Sequence, residues 1–172
     1  MKRLSTIVGI AIALAVSLPA AAWAAAASGF PTWSQHFTKG RFTVLPLFNN
    51  EAVLDKETGL VWEQSPDSTS FAWAAAIAHC YQQDVGGRKG WRLPTVEELA
   101  SLLDTTVSPG LPAGHPFSNL FSSYWSATTL ASDQTHAWIV VVNGGSLNSA
   151  NAKTALTQAW CVRGSQGIDG VQ

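Results

Sequence analysis

The sequence has few charged residues and few of the residues that support metal or thiol chemistry. Only 12% of the residues are Asp, Glu, Lys or Arg, and two are cysteine. The formal net charge is −1, whereas proteins that bind nucleic acid present an electropositive face. Nucleic acid is therefore not an expected partner. Eight tryptophans and 47% hydrophobic residues indicate a folded, aromatic-rich core and argue against disorder.

Motifs that carry catalysis or metal binding are also missing. The four histidines are isolated and no Cys-x-x-Cys or His-Glu-x-x-His spacing occurs, so neither a metal nor another cofactor is expected. A Gly-x-Ser-x-Gly nucleophile elbow is absent. A glycosidase could use carboxylates such as Glu63 and Asp104, whereas Glu97 and Glu98 suit the start of a helix. The sequence predicts a non-enzyme, and a hydrolase-like envelope enzyme with an unrecognised active site is the alternative.

The first 24 residues have the pattern of a secretory signal peptide. Lys2 and Arg3 precede an apolar run, Ile7 to Leu18, that is short for a membrane helix. Ala22-Trp23-Ala24 offers a small-x-small cleavage site. Cleavage two or three residues later, or retention as an uncleaved anchor, are the alternatives. Cleavage after Ala24 would leave no stable membrane span, and eleven acidic residues against eight basic ones, a formal charge of −3.

The rest of the chain has the length of one domain with a buried core. Residues 25–47 are interpreted as a linker or peripheral lead-in, 48–164 as the domain, and 165–172 as a polar tail.

Cys80 and Cys161 are the only cysteines. Two cysteines in an exported protein most often pair, and this pair would close a loop of about 80 residues. The alternative is a nucleophilic Cys80 activated by a histidine, although no Cys/His signature surrounds it. Candidates for that histidine are His79, His115 and His136.

The stretch from Gly90 to Asp104 predicts an extended segment that turns directly into a helix. Pro94 disfavours the α region at Leu93, and Thr95 and Glu98 have the spacing of a capping box. The apolar face of this helix is predicted to contain Val96, Leu99, Leu102 and Leu103.

A first helix is predicted from Phe71 to Gln83, and its buried face from Trp73, Ile77, Cys80 and Tyr81. Short strands are predicted around 41–48, 52–54, 60–62, 124–128, 137–142, 146–148 and 159–163. Three tryptophans, Trp125, Trp138 and Trp160, are expected to stack in the core, with a sugar-stacking platform as the alternative for any one of them. Residues 105–119, rich in Pro and Gly, predict a long loop that could form a binding rim.

Several motifs occur in an order that resembles a known family. They are Thr58-Gly59-Leu60-Val61-Trp62, a helix carrying Cys80, Gly90-Trp91-Arg92-Leu93-Pro94-Thr95 with Glu98-Leu99, Tyr124-Trp125-Ser126-Ala127-Thr128, Ala137-Trp138 and Cys161-Val162-Arg163. From about Phe48 to Gly164 the chain resembles the Lcl C-terminal domain family, described as a domain of unknown function. We interpret Trp62, Trp91, Arg92, Pro94, Thr95, Glu98, Trp125 and Trp138 as its structural motif residues.

The resemblance implies an α+β, C-type-lectin-like fold related to the formylglycine-generating enzyme module. In that fold two helices pack on a small, twisted, mainly antiparallel sheet, and the connecting loops are long. A cysteine on the first helix is bridged to one on the last strand, and Cys80 and Cys161 occupy those places.

The resemblance also implies a place in the bacterial cell envelope, periplasmic or secreted, and associates the domain with sulfated glycans. The collagen-like repeat found in adhesins of the family is absent here, and the acidic balance disfavours polyanions. We therefore expect an exported, non-catalytic binding module that recognises a glycan or a cell-surface protein through its loops. Candidate ligand-binding residues are Arg88, Lys89, His115, Asn148, Asn151 and Lys153.

Overall fold

The structure, a computed structural model, describes residues 40–107, 110–142 and 146–164, without the side chains of residues 146–149. The signal peptide expected at 1–24, the lead-in before residue 40 and the tail expected at 165–172 lie outside the described residues. In chain order the strands are β1 (Phe42–Val44), β2 (Ala52–Asp55), β3 (Val61–Glu63), β4 (Ser70–Phe71), β5 (Trp91–Arg92), β6 (Ser123–Thr129), β7 (His136–Val141), β8 (Ser146–Ala152), β9 (Thr157–Gln158) and β10 (Val162–Arg163). The helices are α1 (Trp73–Gln82) and α2 (Val96–Ser101), and Pro46–Phe48 forms a 3-10 turn.

The strands form two sheets. The first sheet has the order β1-β2-β3-β10-β5, and all of its pairs are antiparallel. The second has the order β4-β9-β6-β7-β8, and only its β6–β9 pair is parallel. With two helices and mainly antiparallel sheets the fold is α+β, as predicted, and its C-type-lectin-like type stays a prediction. Strand β1 belongs to the first sheet although residues 42–44 precede the domain start expected at residue 48.

Helix α2 begins at the predicted capping box. The Thr95 hydroxyl accepts the Glu98 backbone N–H at 3.2 Å, and the Glu98 carboxylate accepts the Thr95 backbone N–H at 2.8 Å. Leu99, Leu102 and Leu103 are each 1% exposed, as predicted, although the helix ends at Ser101 and the last two leucines follow it. Among the described residues, no helix has the length and apolar character needed to cross a membrane.

Helix α1 differs from its prediction in both its start and its buried face. It begins at Trp73, because Ser70–Phe71 pairs with β9 as strand β4. Its buried residues are Ala76 and Cys80, whereas Ile77 is 36% and Tyr81 is 79% exposed. The predicted burial of Ile77 and Tyr81 was therefore wrong, since the small Ala76 side chain occupies the core-facing position.

The buried side chains form two clusters. In the first, Trp160 packs against Trp62, Phe117 and Tyr124, with ring centroids 5.0 to 5.6 Å apart. Trp125 belongs to the second cluster, which also contains Trp91 and both cysteines.

The predicted stack of Trp125, Trp138 and Trp160 is wrong. Trp125 and Trp160 are buried in different clusters, and Trp138 is only half-buried. Trp138 lies on β7 between buried Ala137 and Ile139, and alternate residues of a strand face opposite sides of the sheet.

A disulfide joins Cys80 on α1 to Cys161, the residue before β10, and the two Cα atoms are 5.3 Å apart. The predicted pairing is confirmed. The alternative of a nucleophilic Cys80 is removed, because both sulfur atoms are committed to this bond.

Candidate functional site

A polar groove of about 510 Å³ opens beside the end of β3, a volume within the usual range of small-molecule sites. It lies between the loop that follows β3 and the C-terminal end of α1. The residues that line it, which we call the acidic groove, are Asn50, Glu51, Glu63, Gln64, Ser65, Pro66, Asp67, Ser68, Gln83, Asp84, Val85 and Asn119.

One wall of the acidic groove is held by the Pro- and Gly-rich loop that precedes β6. The Gln64 side chain donates to the Pro116 carbonyl at 2.6 Å, and the Asn119 side chain donates to the Pro66 carbonyl at 2.8 Å. The Ser118 backbone N–H also donates to the Gln64 carbonyl at 2.9 Å. This loop, predicted to be a binding rim, buttresses the groove wall and contributes Asn119 to its lining.

The opposite wall depends on a glycine turn after α1. The Gly86 backbone N–H donates to the Glu51 carboxylate at 2.8 Å. Gly86 has a φ of +61°, and a Cβ atom there would lie 2.4 Å from the backbone of Phe48. Only glycine fits this position, because both the backbone conformation and the contact exclude a side chain.

Glu63 lies at the floor of the groove and is only 5% exposed. Its Oε2 atom accepts the backbone N–H of Cys161 at 2.8 Å. Burial raises the pKa of the Glu63 carboxyl from 4.5 to about 7; the Cys161 hydrogen bond opposes this shift and the Asp67 charge adds to it. The disulfide-bonded Cys161, directly before β10, thus fixes the orientation of a carboxyl group that can change its charge near neutral pH.

Asp67, on the rim, has the opposite shift. Hydrogen bonds from the backbone and hydroxyl of Thr69, both 2.8 Å long, lower the pKa of Asp67. Nearby, burial lowers the pKa of His79, against the attraction of Asp67, and the His79 ring is hydrogen-bonded to Gln83 at 2.7 Å. The four charged residues that line the groove are all acidic.

Of the predicted ligand-binding residues, Arg88 and Lys89 follow the glycine turn that forms one wall of the groove. The Lys89 ammonium is 3.3 Å from the Asp84 carboxylate, and both side chains are largely exposed. The guanidinium groups of Arg88 and Arg163 lie 5.7 and 5.9 Å from the ring centre of Phe48. These cations form a separate patch beside the groove and do not line it.

Lys153 and Asn151 are used in contacts within the second sheet and α1. The Lys153 ammonium lies 4.0 Å from the ring centre of Trp73 and donates to the Thr129 hydroxyl at 2.9 Å. The Asn151 amide donates to the Thr157 hydroxyl at 3.3 Å. The side chain of Asn148, the third candidate in this region, lies outside the described residues.

His115 is half-buried in the buttressing loop and is stacked on Phe117, with ring centroids 5.9 Å apart. Burial lowers its pKa, and the buried Nδ1 atom has no hydrogen-bond partner among the described residues. Neither His115 nor the pair Asn151 and Lys153 lines the acidic groove, so the structure does not gather the six predicted residues into one site.

Sequence reasoning named Glu63 only as one of several carboxylates and did not identify Asp67 or the groove. The available signal was the position of Glu63, directly after the apolar Leu60-Val61-Trp62 run and before a polar break. Its carboxylate accepts from Cys161, which is 98 positions away, and local spacing carries no information about that contact. Within 40–107, 110–142 and 146–164, no three His, Cys, Asp or Glu residues form a group that could hold a metal ion.

Comparison with known proteins adds a family assignment. No curated protein matches this sequence. A family model described as the Lcl C-terminal domain matches residues 51–163, which include β2 to β10, the disulfide and eleven of the twelve residues lining the groove. This match covers more than half of the chain, and we conclude that the protein belongs to the Lcl C-terminal domain family.

Proposed function

We propose that this chain is an exported, non-catalytic binding module that recognises a cell-surface glycan in the acidic groove. The observation that carries the proposal is the groove lining, which combines amide side chains with carboxylates on walls that hydrogen bonds hold in place. Amide and carboxylate groups together can accept from and donate to the hydroxyls of a sugar. A groove with fixed walls also lowers the entropy cost of binding.

The charge distribution separates this proposal from binding of sulfated or other polyanionic glycans. The groove carries Glu51, Glu63, Asp67 and Asp84, which would repel an anionic sugar. The cationic patch beside the groove consists of Arg88 and Arg163 at Phe48 and of Lys89, which is already paired with Asp84. A neutral or cationic glycan therefore suits the groove better than a polyanion.

The proposed location is the bacterial cell envelope, periplasmic or secreted. The signal-peptide pattern at residues 1–24 supports export. The Cys80–Cys161 disulfide is consistent with an oxidising compartment, since such bonds rarely persist in the cytosol. The C-type-lectin-like scaffold expected for the family would present the groove through its long loops.

The test is binding of the purified domain to a glycan array, followed by titration of the best ligand. Gln83→Trp would place a large ring in the groove, whereas Gln82→Trp adds the same ring at the adjacent exposed position outside it. We expect Gln83→Trp to weaken binding at least about tenfold and Gln82→Trp to leave it unchanged. An array without any bound glycan, or equal binding by the Gln83→Trp variant, would contradict the proposal.

A second candidate function, a hydrolase-like envelope enzyme, is favoured by one observation. Glu63 and Asp67 line the same groove, and their pKa values are shifted in opposite directions. Two neighbouring carboxyl groups whose pKa values are shifted apart are typical of a general acid beside a carboxylate that stays ionised. Turnover of an array ligand by the wild type, abolished in Glu63→Gln, would support this function over simple binding.

A further inference from the structure

The acidic groove contains one buried carboxyl group, Glu63, which the fold holds by only one of its two oxygens. The carboxylate of Glu51 accepts the Gly86 N–H, and that of Asp84 is paired with Lys89. Asp67 accepts two hydrogen bonds from Thr69. Glu63 differs from these three exposed residues because it is only 5% exposed; its Oε2 atom accepts from Cys161, and Oε1 receives no hydrogen bond from the described residues.

The position of Glu63 indicates from which side a ligand could reach its Oε1 atom. Glu63 is only 5% exposed, yet its Oε1 atom is not fully buried, so a hydrogen-bond donor can reach it. Since Glu63 lines the groove, the place from which a donor can reach Oε1 is the groove itself. The remaining charged groups on the lining are acidic, so a cationic donor would meet no repulsion there.

We infer that the glycan recognised by this groove carries a protonated amino group, as in a de-N-acetylated amino sugar, which binds at Oε1 of Glu63. This inference rests on the proposed function and names the chemical class of the ligand. The ammonium group donates to Oε1 while Cys161 continues to hold Oε2, so binding requires no rearrangement of the floor. The amide side chains of the walls remain available for the sugar hydroxyls.

The charges that face Glu63 agree with this assignment. Asp67 adds to the burial effect that raises the pKa of Glu63. Burial, with a smaller contribution from Glu63, raises the pKa of Tyr124 to about 12. Glu51 and Asp84 also line the groove, and the nearby Lys89 is paired with Asp84. A bound cation would favour the ionised carboxylate, so binding should release protons near neutral pH.

The experiment compares calorimetric titrations of the purified domain with a glucosamine oligomer, an N-acetylglucosamine oligomer of the same length, and an oligomer of lysine. The buffer keeps the amines protonated. A charge-assisted hydrogen bond predicts that the glucosamine oligomer binds roughly tenfold more tightly than its acetylated counterpart. Glu63→Gln keeps an oxygen that can accept from Cys161 and should abolish this preference. Glu97→Gln, an exposed change on α2 outside the groove, should preserve it.

The outcomes separate this inference from the proposed function. Equal binding of the two sugar oligomers, or a preference retained by Glu63→Gln, overturns the amine assignment alone. Binding of neither sugar oligomer contradicts the amine assignment, while the glycan array tests the proposed function separately. Lysine oligomers that bind as tightly as the glucosamine oligomer overturn the assignment to a sugar. The comparison of the two sugar oligomers uses the wild type, so it remains decisive if Glu63→Gln fails to fold.

Discussion

At the scale of single residues, the surroundings of two carboxyl groups explain their different chemistry. Glu63 is buried beneath the groove and its pKa is raised to about 7, while Asp67 lies on the rim and Thr69 lowers its pKa. Both side chains line the same groove. The chain thus holds a carboxyl group that is partly protonated at neutral pH beside one that stays ionised.

The raised pKa of Glu63 predicts a dependence of stability on pH. The folded protein binds this proton more tightly than the unfolded chain, so Glu63 favours folding most below pH 4.5 and the benefit is lost as the pH rises towards 7. A pKa difference of this size between the folded and unfolded states changes the free energy of unfolding by at most about 3 kcal/mol. Glu63→Gln, which does not titrate, should therefore be more stable relative to the wild type in alkaline buffer than in acidic buffer.

The measurement is chemical unfolding of both proteins across this pH range. Titrations of all other groups are shared by the two proteins and cancel in the comparison. A difference in unfolding free energy that does not change with pH would show that Glu63 is not a buried, titrating group.

A second residue-scale prediction concerns the glycine turn that holds Glu51. Gly86 and Gly87 have φ values of +61° and +71°, but only a Cβ atom at Gly86 would collide with the Phe48 backbone. Gly87→Ala should cost about 1 kcal/mol from backbone strain, and Gly86→Ala clearly more. Urea unfolding of the two variants measures the difference, and equal losses would contradict the close packing of this turn.

At the scale of elements, helix α2 is stabilised by its own N-cap residue and by an arginine of strand β5. The Glu98 carboxylate accepts the Thr95 backbone N–H and both Nη groups of Arg92, at 2.6 to 2.8 Å. Arg92 also donates to the Gly164 carbonyl at 2.7 Å, which connects β5, α2 and the end of β10. Because Glu98 is only 3% exposed, it depends on these partners.

Removal of the cap hydroxyl should destabilise this element without changing its packing. Thr95→Ala is expected to lower the free energy of unfolding by about 1 kcal/mol, because the Glu98 backbone N–H loses its acceptor. Thr95→Ser retains the hydroxyl and serves as the control. Thermal unfolding that shows the same loss for both variants would assign the effect to the lost methyl group and not to the cap.

The two helices show what local sequence can and cannot predict. The capping box and proline that define α2 act within four residues, so its start could be predicted. The start of α1 could not, because Ser70 and Phe71 are taken up by pairing with Gln158 and Thr157. Its buried face was missed because the larger side chains of Ile77 and Tyr81 dominate the apolar pattern, while the core accommodates alanine.

At the scale of the whole molecule, the disulfide joins two parts of the chain that are far apart in sequence. It closes a separation of 81 residues and lies in the second cluster. The chain-entropy estimate for a loop of this size is roughly 4 to 5 kcal/mol. The double variant Cys80→Ala/Cys161→Ala should lose stability of this order in urea unfolding. A reductant should destabilise the wild type and leave the double variant unaffected, and the opposite result would contradict a structural role.

The family and the α+β class could be predicted because the motif blocks follow a fixed order along the chain. The acidic groove could not, because Glu51, Glu63, Asp84 and Asn119 come from four separate segments. Sequence reasoning favoured cations on loops as ligand-binding residues. In the fold, Lys153 is engaged with Trp73, and Arg88 lies over Phe48.

The order of strands in the first sheet has a consequence for the timing of folding. Strand β10, the last of the described strands, lies between β3 and β5. Until residues 162–163 have been synthesised, β3 can pair only with β2, and β5 lacks the strand with which it pairs in the described structure. The same segment brings Cys161 to both Cys80 and Glu63. A nascent chain that lacks it cannot close the sheet, form the disulfide or complete the floor of the groove.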